Sequence, residues 1–313
     1  PKKMKRRKFI KGLSLSTSFA ISPFISLESK SNEKSMFFEI GLAEWSLNKA
    51  LNKGDITNMD FPSIAKNDYG INIIEYVNQF FMDKATNKIY LNELLSRTKD
   101  LGITNHLIMV DDEGDLGNTD RLKRNIAVDN HKKWVEAAKF LGCDSIRVNA
   151  QGTGSRESVS KAAIDGLGSL ADFALDYGIN VIVENHGGYS SDGKWLMNII
   201  RSTSRSNVGT LPDFGNFCIS GAWGSTQDEC SNKYDKYLGV KEMMPYAKSV
   251  SAKSYDFDDE GNCIETDFYK MLEIVKKSGY NKYISIEYEG TRLSEYEGIK
   301  KTKALLDKVG KSI

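Results

Sequence analysis

The chain has 313 residues, 40% hydrophobic and 27% charged, with 43 basic and 42 acidic side chains. This composition excludes disordered and collagen-like chains, and the length suits one large α/β barrel or two modest domains. Seven basic residues and no acid fall within residues 1–27, so the remainder holds 36 basic against 42 acidic groups, a net charge near −6. Without a cluster of Lys and Arg to displace counterions, nucleic acid is excluded as a partner.

The amino end stands apart. The stretch MKRRKFIKGLSLSTSFAISPFISLES joins a basic start to a mildly apolar, Ser-rich run too short to cross a bilayer. It reads as an export signal over residues 1–30, with Met4 as the start. Arg6 and Arg7, followed by Phe9, Ile10 and Lys11, resemble the twin-arginine signal that a receptor reads to export folded proteins. The expectation is a periplasmic protein with no membrane span in its mature form. Cys143, Cys218, Cys230 and Cys263 show no C-x-x-C pairing and read as buried apolar residues, with room for one bridge in an oxidising compartment.

From residue 36 onward, β-rich runs recur eight times: FFEIGLAEWS at 37, INIIEYV at 71, ITNHLIMV at 103, DSIRVNA at 144, INVIVENH at 179, NVGTLPDFG at 207, KSVSAKSYDF at 248 and KYISIEYEG at 282. Between most of them lie helical patterns, including LNELLSRTKDLG, HKKWVEAAKFLG, ESVSKAAIDGLGSLADFALDYG, WLMNIIRSTS and FYKMLEIVKKSGY. Gly102, Gly142, Gly178 and Gly279 stand where helices end, and EYEGIKKTKALLDKVGKSI closes the series as an eighth helix. Eight alternations predict an α/β fold, a single-domain (β/α)8 TIM barrel over residues 36–313. A doubly wound dinucleotide fold is disfavoured because no G-x-G-x-x-G follows the first strand. Gly152 and Gly154 in AQGTGS read as a flexible turn in preference to a phosphate cradle. His106 reads as a strand residue packed in the barrel and His131 as a helix-start residue.

The active site of such a barrel lies at the carboxyl ends of its strands. There the chain places Glu184 and His186 after strand five, Asp213 after strand six, Lys253 on strand seven, and Glu287 and Glu289 on strand eight. Alternation puts Glu184 with His186, and Glu287 with Glu289, on one side of each strand. If Glu184 and Glu287 point inward, three carboxylates converge with Asp213. They would repel one another unless a hard divalent cation with oxygen ligands sits among them. Glu289, Asp256 and Asp258 read as helix caps or ion-pair partners.

The motifs IVENHGG, LPDFGN, VSAKSYDF and ISIEYEG, with LGCDSIRVNAQG and GLAEWSL, are similar to the sugar phosphate isomerase/epimerase family, the xylose isomerase-like barrels, from residue 37 to the end. The resemblance implies a metal-dependent sugar isomerase or epimerase in which Glu184, Asp213 and Glu287 bind Mn²⁺ or Mg²⁺, with Co²⁺ or Zn²⁺ as alternatives. Where the family commonly reads H-x-K, this chain has Ser251, Ala252 and Lys253, so a hydroxyl stands in place of the fourth ligand.

The implied chemistry passes through an enediolate, with Glu184 and Glu287 as base and acid on opposite faces. The same intermediate serves elimination, as in a lyase or hydratase acting on 3-keto-glycosides. Loss of the histidine leaves a third reading, a carbohydrate-binding barrel impaired in catalysis. His186 as hydrogen-bond donor to a sugar hydroxyl or oxyanion, Lys253 as charge partner, Arg147 and Asn149 after strand four, Glu75 on strand two and Trp45 as an apolar platform complete the candidate pocket. The aromatic segment QFFMD at 79 is expected over its mouth. The expected ligand is a small sugar or keto-sugar; three histidines fall short of the metal sets of apurinic endonucleases in the same superfamily, and related barrels often form homodimers.

Overall fold

A computed structural model describes residues 35–224 and 230–313. The segment read as an export signal lies outside the described residues.

The eight expected strands all form: β1 (Glu39–Ala43), β2 (Ile73–Val77), β3 (Thr104–Met109), β4 (Ser145–Val148), β5 (Asn180–Glu184), β6 (Val208–Leu211), β7 (Val250–Ser254) and β8 (Tyr283–Tyr288). Each pairs in parallel, in the order β6-β5-β4-β3-β2-β1-β8-β7. Strands enclosed on both faces need apolar side chains in both directions, and Ile73–Val77 is buried at every position. The two ends of the sheet meet through isolated parallel bridges, Thr210 with Ala247 and Asp213 with Ser251. Pro212 has no N–H to extend a ladder. Its carbonyl still accepts from Ser251 N at 3.0 Å, while Phe214 N donates to Ser251 O at 3.1 Å. The circuit therefore closes at two of the predicted site residues.

Nine helices surround the strands among the described residues. They are α1 (Asn48–Lys53), α2 (Phe61–Tyr69), α3 (Lys88–Asp100), α4 (Arg121–Leu141), α5 (Arg156–Tyr177), α6 (Gly193–Thr203), α7 (Lys236–Met243), α8 (Phe268–Lys277) and α9 (Glu295–Ser312). The count exceeds the expected eight because two short helices join β1 to β2. Side-chain caps set most starting points: Asn87, Asp120, Ser155, Asp192, Asp235, Asp267 and Ser294 each accept from the first turn of α3 to α9. Each such cap contributes about 1 kcal/mol. Asp120 starts α4 ten residues ahead of His131, so His131 lies mid-helix, buried, with Nδ1 2.7 Å from Ala127 O. Periodicity hid that early turn because RLKRNIAVDN is mostly polar, and its buried Arg124 reaches Asp165 of α5 with Nε at 2.7 Å. Gly152 has a packing reason: a Cβ there would stand 2.1 Å from Gly117 O.

The apolar core has two layers. One lies between helices and strands; the other, inside the ring, comprises Ala43, Val77, Leu107, Met109, Ile182 and Leu211. The interior of β7, β8 and part of β2 is polar instead, with Ser249, Ser251, Lys253, Ser285, Glu287 and Glu75 all buried. A register shift between Ile74 and Glu75 leaves His106 of β3 without a partner on β2, as a bulge does. His106 Nε2 lies 4.0 Å from Glu75 Oε1, and the ring meets Tyr283 edge-on at 4.7 Å.

Candidate active site

Glu184 ends β5, Asp213 follows β6 and Glu287 lies in β8; one carboxylate oxygen of each is within 4.8 Å of the other two. All three are buried. Burial, with mutual repulsion, pushes Glu184 well above the ordinary carboxylate range and Asp213 up to about 6. Asp213 is held from both sides: Oδ1 accepts from Gly215 N and Asn216 N at 2.8 Å each, leaving Oδ2 for the cluster. Ser251 Oγ lies 2.6 Å from Asp213 Oδ2 and 2.7 Å from Glu287 Oε2. One hydroxyl proton serves one of these contacts; the other needs a proton on the carboxyl or a cation beside it. Glu184 Oε1 accepts from Asn216 Nδ2 at 2.9 Å, while Oε2 is buried without a hydrogen bond. An all-oxygen set with an unsatisfied buried carboxylate atom fits a hard divalent ion, and these three residues could hold one.

Two fixed cations share the space. Arg147 Nη1 donates to Asp111 Oδ1 at 2.8 Å, and its Nε lies 2.9 Å from Glu184 Oε2, close enough for an ion pair but not aimed along a hydrogen bond. Lys253 Nζ, wholly buried, is 3.2 Å from Glu287 Oε1, 3.5 Å from Glu289 Oε1 and 3.9 Å from Asp213 Oδ2. Burial alone would favour the neutral amine, but Asp213 and Glu287 outweigh it and keep Lys253 firmly protonated. Arg147 and Lys253 thus offset part of the negative charge and reduce what an added ion would gain.

Above the trio opens a cavity of about 440 Å³, lined among others by Trp45, Asp111, Arg147, His186, Trp223 and Glu287. Glu184, Asp213, Ser251 and Lys253 are fully buried and are not among its lining residues, so Glu287 alone of the trio faces it. Asn149 Nδ2 donates to Asp111 Oδ1 at 2.7 Å, which turns Asn149 Oδ1 toward His186 Nδ1 at 3.1 Å. That oxygen only accepts, so Nδ1 carries the proton and Nε2 is left as an acceptor. Burial and the Arg147 charge push His186 down to about 4, so the ring is neutral near pH 7. In this arrangement His186 offers Nε2 as an acceptor, where the sequence suggested a donor.

Other expected pocket residues divide. Trp45 lines the cavity, donates from Nε1 to Glu289 and stacks against Phe80 of the QFFMD segment at 6.0 Å. Phe81 of the same segment turns away into the core against Trp134. Glu75 does not reach the cavity. It accepts from Ser249 Oγ, just before β7, at 2.8 Å and lies near His106 inside β3. Alternation predicts the inward side correctly but not the height along the axis.

Asp111, Asn216 and Trp223 were not anticipated. Asp111 opens the acid run DDEGD directly after β3, which was the available signal; Asn216 lies within LPDFGN. Trp223 sits on the loop after β6, where no periodicity applies. A disulfide between Cys218 and Cys230 closes that loop, whereas Cys143 and Cys263 are free and buried. The loop presses on the end of β5: Gly224 N donates to His186 O at 2.8 Å, and a Cβ on Gly187 would stand 2.3 Å from Ala222 O.

Residues 65–309 match the family model for the xylose isomerase-like TIM barrel. Among solved structures, the chain is similar to the IolI protein with a bound zinc atom, at 16% identity and TM-score 0.67, covering 88% of this chain and 99% of that one. It is also similar to L-ribulose 3-epimerase, at 15% identity and TM-score 0.65, covering 87% and 94%. A third similar structure is the 3-keto-D-glucoside 4-epimerase of E. coli, at 14% identity and TM-score 0.61, covering 88% and 100%. At such identities the likeness establishes the fold. No curated protein matches the chain. Family match, eight-stranded parallel ring and strand-end site agree, and the chain belongs to the xylose isomerase-like TIM barrel family.

Proposed function

We propose that this protein is a metal-dependent sugar isomerase or epimerase whose ion is held by Glu184, Asp213 and Glu287, with the Ser251 hydroxyl where the family has an imidazole. The observation that carries the reading is the meeting of three buried carboxylates within 4.8 Å under a cavity of about 440 Å³, a volume within the range of small-molecule sites. A divalent ion there supplies Lewis acidity toward a carbonyl oxygen, and Mn²⁺ or Mg²⁺ suits the all-oxygen set. The zinc atom in the similar IolI structure supports metal binding by a barrel of this fold.

In this reading Glu287, which faces the cavity, takes the proton from the carbon beside the carbonyl and delivers it to the former carbonyl carbon, the net change of an isomerisation; epimerisation needs a second proton carrier on the opposite face. Lys253 Nζ pairs with Glu287 Oε1 from below at 3.2 Å. Glu184, expected as the second proton carrier, is covered by Arg147 and Asn216 and serves as a ligand. His186 Nε2 accepts from a sugar hydroxyl, and Trp45 and Trp223 offer apolar ring faces. The similar 3-keto-glucoside epimerase favours keto-glycosides among the candidate substrates, for which elimination by a lyase is the second reading.

Export to the periplasm belongs to the same proposal, supported by Arg6 and Arg7 and by the Cys218–Cys230 bridge, which persists in an oxidising compartment. A homodimer is proposed on the family resemblance alone. The test of catalysis is deuterium uptake from D₂O into a panel of ketoses and 3-keto-glycosides with Mn²⁺ present. Uptake that disappears in Glu287→Gln is expected. Binding of these sugars without exchange would leave only a carbohydrate-binding barrel.

A further inference from the structure

The cavity also constrains the charge of what enters it, an inference that rests on reading the cavity as a sugar pocket. We infer that it takes uncharged or cationic sugars, such as unmodified sugars, amino sugars and neutral keto-glycosides, and rejects sugar phosphates and uronates.

Six carboxylates line the wall: Asp111, Asp112, Glu113 and Asp115 from the loop after β3, and Glu287 and Glu289 from β8 and its end. Lys133 offsets Glu113 at 2.7 Å from outside the cavity. Among the described residues the one lining Lys or Arg is Arg147, already held between Asp111 and Glu184. Lys253, beneath the floor, lies among Asp213, Glu287 and Glu289. Asp112 takes φ 61°, left-handed backbone for a residue other than glycine, and accepts from Gln79 Nε2 at the wall. Such conformations persist where the surroundings hold them, which is common at binding sites. Asp115, half-buried, has no hydrogen bond or ion pair to its carboxylate among the described residues.

A phosphate needs Arg or Lys donors, or the open N–H groups of a helix start. At this end of the barrel four helix starts are taken by acids, while those of α3, α5 and α9 are capped by the neutral Asn87, Ser155 and Ser294. Asp120, Asp192, Asp235 and Asp267 cap α4, α6, α7 and α8, the helices following β3, β5, β6 and β7, and each accepts from first-turn N–H groups. An incoming anion would meet the carboxylates of the wall, and these four starts offer it no open N–H groups. An ammonium or an uncharged hydroxyl would meet acceptors along the walls formed by the loop after β3 and by the end of β8.

The test is titration of the full chain with D-glucosamine, D-glucose, D-glucose 6-phosphate and D-glucuronate, followed by tryptophan fluorescence and calorimetry. Glucosamine and glucose are expected to bind at least about tenfold more tightly than the two anions, a difference of about 1.4 kcal/mol. The glucosamine preference should fall with added salt and in the Asp112→Asn/Asp115→Asn double variant. Asp112→Lys/Asp115→Lys should gain affinity for glucose 6-phosphate. Equal or tighter binding of the phosphate or the uronate by the unaltered protein overturns the inference. If the order of binding holds but no sugar exchanges deuterium, the catalytic reading falls and this one stands. If exchange occurs with phosphorylated ketoses, only this one falls. Failure of all four probes to bind overturns it.

Discussion

Ser251 and Asp213 face each other across the seam where β6 meets β7, hydroxyl to carboxylate at 2.6 Å, and the same hydroxyl stands 2.7 Å from Glu287. Removing it leaves two buried carboxylate oxygens without that partner. Ser251→Ala is therefore expected to cost about 1–3 kcal/mol in urea unfolding of the metal-free protein. Ser251→His, with folding checked by circular dichroism, should tighten Mn²⁺ binding at least about tenfold by adding an imidazole ligand. Unchanged affinity in a folded variant would show that residue 251 does not approach the ion.

Arg147 offsets Asp111 and Glu184 together. Arg147→Met leaves both charges uncompensated and should destabilise the metal-free protein by about 3–5 kcal/mol. Millimolar Mn²⁺ should recover a larger share of stability in the variant than in the parent, because the ion takes over part of the lost charge. Equal responses to Mn²⁺ in urea unfolding would contradict ion binding beside Glu184.

The Cys218–Cys230 bridge closes the loop that carries Trp223 into the cavity wall. A double Ser variant should lose roughly 2–3 kcal/mol of stability, as expected for a closed loop of this size. Its KM should rise with kcat nearly unchanged, since the described residues of the loop line the cavity through Trp223 and Gly224 and none of them pairs with the trio. A fall in kcat alone would place the loop in the chemistry.

Glu44 lies away from the trio, buried, accepting from Val77 N and Asn58 Nδ2 at 2.9 Å each. Burial raises it to about 8, above the 4.5 of an exposed glutamate, so the folded state binds its proton more tightly than the unfolded state. The resulting stability is complete below pH 4.5 and is lost as pH rises through 8. The stability of the parent minus that of Glu44→Gln should fall by about 1.4 kcal/mol per pH unit between those limits and flatten above them. A flat difference from pH 5 to 9 would mean that Glu44 is ionised in the fold.

The barrel was legible because each strand carries its own apolar run and turn residues, and because strand ends in such a ring share one face. Glu184, Asp213 and Glu287 could be placed together from those two facts alone. Lys253 and Arg147 were legible as strand-end cations, but not which acids each meets: the approach of Lys253 to Glu289 or of Arg147 to Glu184 depends on the tilt and stagger of separate strands. Glu75 shows the same limit in one residue, facing inward as alternation requires but midway along β2, against Ser249 and His106 and outside the cavity lining. The bulge beside His106, the long polar start of α4 and the tautomer of His186 each depend on contacts made by distant residues.

The most direct measurement is metal content and affinity: the purified chain, stripped with chelator, dialysed against Mn²⁺ and assayed by plasma mass spectrometry beside Asp213→Asn and Glu184→Gln. One ion per chain in the parent, with affinity reduced at least about tenfold in each variant, is the predicted result. A folded parent that retains no ion at millimolar Mn²⁺, or variants that bind it equally well, would contradict a metal centre at these carboxylates.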